Sequence, residues 1–131
     1  MKITLCRFCD TYLQTSDNKN CMIGLFDSIG SQSFPFKQDT FHLCFEMEFE
    51  VQEANKEVEL VVRMTSESSK ELFAVNAKFT VPDVQRHSRS RIFQNFKVQN
   101  LEFTEPGVHK VEFQINGKLV HEELIFVAKF D

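Results

Sequence analysis

Apolar and polar residues alternate along most of this chain with a period of two. Phe41, Leu43, Phe45, Met47, Phe49 and Val51 interleave with His42, Cys44, Glu46, Glu48 and Glu50. Successive side chains of a strand point to opposite faces, so this segment predicts a strand with one face on a core and one in water. In the next strand Val58, Leu60, Val62 and Met64 alternate with Glu57, Glu59 and Arg63. Beyond the polar turn Thr65–Lys70, Phe73, Val75, Ala77, Phe79 and Val81 alternate with Ala74, Asn76, Lys78 and Thr80.

The two ends of the chain read the same way. Strands are expected over Lys2–Leu13 and Cys21–Ile29, joined by the turn formers Thr15–Asn20. Ile92, Phe96 and Val98 share one parity, whereas Leu101 and Phe103 take the other. That phase change predicts a bulge near Gln99-Asn100 or a strand moving between sheets. Glu105-Pro106-Gly107 ends one strand, and Val111, Phe113 and Ile115 begin another face. Asn116-Gly117 then predicts a type I′ hairpin, which needs positive φ at both residues. The last strand, Lys118 to Phe130, is apolar on both faces around Leu124–Ala128, which places it centrally in a sheet.

No segment holds a convincing helical period. The expectation is a single all-β domain over residues 1–131, an antiparallel β-sandwich of about eight strands, immunoglobulin-like or C2-like. The length is that of one domain, and it suffices to bury a core without a metal or disulfide.

Certain residues also carry a resemblance. They are Phe8-Cys9-Asp10, Ile23-Gly24-Leu25-Phe26-Asp27-Ser28-Ile29, Phe34-Pro35-Phe36, Glu59-Leu60-Val61-Val62-Arg63 and the run from Phe103 to Leu119 with its Pro106-Gly107 and Asn116-Gly117 turns. Together they resemble a family of short bacterial immunoglobulin-like sandwich proteins of unknown function. The resemblance implies the sandwich fold over nearly the whole chain and implies no activity. Two departures are that the Ser66–Lys70 turn lacks the glycine common in similar proteins, and that His109 replaces their tyrosine.

Composition narrows the function classes. The chain has 15 Phe, one Tyr and no Trp, so its aromatic surface suits a dry interior more than base or sugar stacking. A formal net charge of −4 argues against nucleic acid and anionic membranes as partners. No signal peptide and no apolar run long enough to span a bilayer is present, so a cytoplasmic location is expected, in a bacterium or a phage-infected cell.

The four cysteines, Cys6, Cys9, Cys21 and Cys44, are expected to be free thiols in a reducing compartment. Cys6 and Cys9 have C-x-x-C spacing but lie in a strand, where side chains three apart face opposite ways. No second ligand pair accompanies them, so no metal and no cofactor is expected. Isolated Asp17, Asp39 and Asp83 do not make a calcium loop. No nucleophile elbow, P-loop or zinc-protease motif occurs, and His42, His87, His109 and His121 are scattered, so no enzyme is expected.

Two stretches stand out as candidate binding residues. Gln85–Arg91 holds Arg86, His87, Arg89 and Arg91, a local reversal of charge in an expected loop. Guanidinium groups bind carboxylate or phosphate through two parallel hydrogen bonds. Phe34 and Phe36 flank Pro35 in the long linker Gly30–Asp39; they either anchor a partner or plug one end of the sandwich. The expected function is a non-catalytic module acting through protein–protein contacts, including a homodimer in which the Arg segment meets the acidic strand of a second copy. The alternative is a sensor or sponge for an anionic small molecule or nucleotide centred on residues 85–91.

Overall fold

A computed structural model describes residues 1–83 and 90–131. The described residues form β1 (Lys2–Gln14), β2 (Asn20–Phe26), β3 (Ser28–Ser31), β4 (Phe36–Gln38), β5 (Phe41–Phe49), β6 (Glu57–Thr65), β7 (Glu71–Thr80), β8 (Ser90–Val98), β9 (Leu101–Phe103), β10 (Gly107–Ile115) and β11 (Lys118–Lys129). A 3-10 turn at Val51–Glu53 follows β5. Sheet A has the order β2-β1-β5-β8, and sheet B the order β3-β11-β10-β6-β7. β4 and β9 form a separate antiparallel pair. The molecule is thus an all-β sandwich, and no described helix is long and apolar enough to cross a membrane.

The inner faces follow the period-two pattern. Leu43, Phe45, Met47 and Phe49 of β5 join Phe8 of β1 on one side, and Leu60, Val62, Met64, Val111, Phe113 and Ile125 on the other. The Phe45 and Phe113 ring centroids lie 4.9 Å apart across the two sheets, and Phe45 also meets Phe96 at 5.3 Å. Asn116 and Gly117 have φ of 50° and 80°, as the expected hairpin between β10 and β11 requires. The phase change near Gln99-Asn100 is a sheet change: β8 belongs to sheet A, β9 pairs with β4, and Asn100 turns with φ of 52°.

Several expectations need correction. Eleven strands form among the described residues, the short β3, β4 and β9 adding to the eight or so expected, since they are too short to show a period. Cys21–Ile29 is two strands: the chain leaves sheet A after Phe26 and enters sheet B at Ser28. β5 ends before Val51, which is exposed on the 3-10 turn. Its outer face is also not in water. β5 lies between β1 and β8, so neighbours on both sides cover Cys44 and Glu48. β11 is central as expected, yet Glu122, Leu124 and Phe126 on its outer face remain exposed.

At one end, two loops clasp each other. The Glu105 carboxylate accepts hydrogen bonds from the Ser68 amide at 3.0 Å and the Ser68 hydroxyl at 2.6 Å. Glu67 in turn accepts from the Val108 amide at 3.1 Å. Ser69 holds φ of 67° in this turn, so a serine does the work of the absent glycine. Hydrogen bonds from Ser66 and Ser68 hold the Glu105 carboxyl at about 2, below its ordinary 4.5. A depressed carboxylate contributes stability that is complete above pH 4.5 and is lost as pH falls towards about 2. Glu105→Gln should flatten that part of the stability–pH curve, read as denaturation midpoints across this window. An unchanged slope would remove Glu105 as its source.

Candidate functional site

Among the candidate residues named above, Arg86, His87 and Arg89 lie outside the described residues. Arg91 is the second residue of β8, and its register partner is Glu48 on β5. Its Nε lies 3.7 Å from a Glu48 carboxylate oxygen and 3.9 Å from one of Glu46. Glu46 also accepts a hydrogen bond from the Thr4 hydroxyl at 2.7 Å. The attraction between this arginine and the acidic strand is therefore satisfied within one chain. Phe34 and Phe36 are half-buried and pack against the core. Their rings meet at 5.1 Å, and Phe36 stacks on buried Phe103 at 5.4 Å. Both rings thus rest on the core and are only partly open to solvent.

The cysteines divide by face. Cys6 belongs to the intersheet core, whereas Cys9 lies outside that cluster, with its sulfur 3.8 Å from that of Cys44. The C-x-x-C residues thus face opposite ways, as strand geometry demands. His42 Nδ1 lies 2.7 Å from Asn95 Oδ1, and Tyr12 packs on both His42 and Phe93. Burial pushes the Cys9 thiol up, and burial together with the neighbouring Cys9 pushes Cys44 up to about 12. A thiol with so high a pKa is not an activated nucleophile.

A second group was not legible beforehand. β1 of sheet A faces β11 of sheet B, and there Cys6, His121 and Glu123 converge. Their ligand atoms all lie within 4.8 Å of one another. His121 Nε2 is 2.9 Å from Glu123 Oε2, because the two residues share one face of β11. The His121 ring rests against Phe113 at 5.7 Å. Beside the group is a recess of about 370 Å³, bounded by Cys6, Glu123, Leu25 and Asp27, where the chain crosses between sheets. The only sequence signal was the His-x-Glu spacing on one strand face; its partner Cys6 lies at the other end of the chain.

The outer face of sheet B carries the third feature. Phe126 is register partner to Val108, and Leu124 to Lys110. Leu124 is 45% exposed, Phe126 47% and Val108 39%. On its other side β11 pairs with β3, which offers only Ser28 beside Phe126 and Gly30 beside Ala128. An edge strand of small residues cannot shade its neighbour's large side chains, so the patch stays open. Lys110, opposite Leu124, borders the patch and pairs with Glu112 at 3.3 Å.

Comparison with curated proteins gives no match. Among solved structures, the alkylpurine DNA glycosylase AlkC of Pseudomonas fluorescens, bound to DNA containing an abasic site analog, is 13% identical with a TM-score of 0.49. That likeness covers 78% of this chain and 27% of the glycosylase. A β-glucuronidase from glycoside hydrolase family 2 is 16% identical with a TM-score of 0.46, over 75% of this chain and 11% of its own. The chain spans less than a third of either protein, and neither likeness bears on its chemistry. A family match runs over residues 4–128, nearly the entire chain, and by it the protein belongs to DUF6941, a family of unknown function.

Proposed function

We propose that this chain is a non-catalytic sandwich module that acts through protein–protein contacts, with a second copy of itself as the first partner to consider. The observation that carries the reading is the open patch of Val108, Leu124 and Phe126 on the outer face of sheet B. Isolated exposed apolar residues are ordinary, but three large ones adjacent on one sheet face form a surface that water disfavours. A two-fold axis through such a patch would lay each copy's Phe126 and Leu124 on the other's, a self-complementary contact. Lys110 and Glu112 at its border would set the polar rim.

The test is native mass spectrometry of the wild-type chain and of the double variant Leu124→Ser/Phe126→Ser across a range of protein concentrations. Both positions point to solvent, so the variant should keep its fold. The wild type is expected to reach twice its 15.3 kDa as concentration rises, and the variant to remain single. A wild type that stays single at every concentration would eliminate the second copy as partner. A variant that pairs equally well would eliminate this face.

A further inference from the structure

We infer that Cys6, His121 and Glu123 form a binding site for a divalent transition-metal ion of the zinc class, tying β1 of one sheet to β11 of the other. The donor set is one sulfur, one imidazole nitrogen and one carboxylate oxygen, each an ordinary zinc ligand. Tetrahedral ligands at zinc bond lengths stand about 3.4–3.6 Å apart. The three donor atoms here are mutually within 4.8 Å, and the nitrogen and oxygen, hydrogen-bonded to each other at 2.9 Å, need to part by only about 0.5 Å. Small side-chain rotations therefore suffice to close the set around an ion. Two of the donors share one strand face at i and i+2, and the third is presented from the opposite sheet, so the packing of β1 against β11 sets their separation.

Charge supports the same assignment. A thiolate and a carboxylate together balance a divalent cation, leaving a neutral assembly at the edge of an apolar core. As a thiol, Cys6 must give up its proton in order to ligate. On binding, the sulfur exchanges that proton for the metal and the proton leaves to solvent, which keeps atoms and charge in balance. The recess at Leu25 and Asp27 gives the ion a route in, and gives a water molecule room to take the fourth position. Contact with Phe113 steadies the His121 ring.

The test is a cobalt titration of the full chain, stripped of metal and kept reduced, since Co2+ replaces Zn2+ and reports its ligands optically. One equivalent should bind, with a thiolate-to-cobalt charge-transfer band and the intense visible bands of four-coordinate cobalt. Cys6→Ser should abolish the charge-transfer band. His121→Gln and Glu123→Gln should each weaken affinity by at least the roughly 10–100-fold typical of altered ligand surroundings. Those two positions are half-exposed, so their variants remain informative if Cys6→Ser does not fold. Zn2+ should also raise the melting temperature of the wild type in proportion to its occupancy, and not that of His121→Gln. A wild type without the charge-transfer band overturns the assignment. A band that survives Cys6→Ser, or unchanged affinity in both β11 variants, overturns it equally.

Discussion

Replacing Phe45 with alanine is expected to lower folding stability by about 3–5 kcal/mol, the largest loss from any single substitution considered for this chain. Phe45 is fully buried on β5, inside sheet A, and its ring meets Phe113 from the other sheet and Phe96 from β8. Truncation thus removes the transfer free energy of one ring and leaves a cavity that three strands would have to move together to fill. A domain of this size has about 5–15 kcal/mol in all, so the variant should be marginal. Leu119→Ala is the control: that side chain is 47% exposed in the β10–β11 hairpin, and its loss should cost less than about 1 kcal/mol. Urea midpoints at a constant slope measure both. A loss below about 1 kcal/mol for Phe45→Ala would mean that the two sheets do not meet at this ring.

Gly107→Ala is expected to cost about 2–4 kcal/mol, from two separable causes. Gly107 has φ of 129°, where residues with a β-carbon are strained. An added Cβ would also fall 1.6 Å from a Glu67 carboxylate oxygen and 3.0 Å from the Glu67 Cβ. Glu67 would have to swing away and give up its bond from the Val108 amide. The double variant Glu67→Ala/Gly107→Ala distinguishes the causes. It removes the collision and retains the backbone strain, so its loss should fall short of the summed single losses by about 1 kcal/mol. Full additivity would show that the carboxylate never crowded this glycine.

What the amino-acid pattern foretold, and what it did not, has a physical basis. Alternation over β5, β6, β7 and β10 reports burial directly, because a sheet face is either covered or wet. Asn116-Gly117 reports local backbone strain, which needs no distant partner. The outer face of β5 misled: Glu46 and Glu48 look solvated by residue type, yet Arg91 and Thr4 cover them from neighbouring strands. β3 and β9 read as continuations of β2 and β8, and β4 escapes notice, because three or four residues cannot display a period of two. The two-faced apolar run Leu124–Ala128 correctly signalled a central strand, but its outer half stays open because Ser28 and Gly30 are small. Cys6, His121 and Glu123 could not be joined in advance, since only the packing of β1 on β11 brings them together. Each of the three, read alone, is an ordinary core or surface residue.

The parallel pairing of β3 with β11 also bears on how the chain folds as it leaves the ribosome. All four strands of sheet A, from β1 to β8, are synthesised by Val98. Sheet B then has β3, β6 and β7, but the partner of β3 is β11, and β6 awaits β10. Until residues 107–129 emerge, the Phe-rich inner face of sheet A has an incomplete cover. Translation adds about 5–20 residues per second, so this interval lasts on the order of seconds, and exposed strands are prone to pair wrongly during it. A nascent chain paused before Gly107 should therefore bind chaperones and be cut readily by proteases, and release of β10 and β11 should end both.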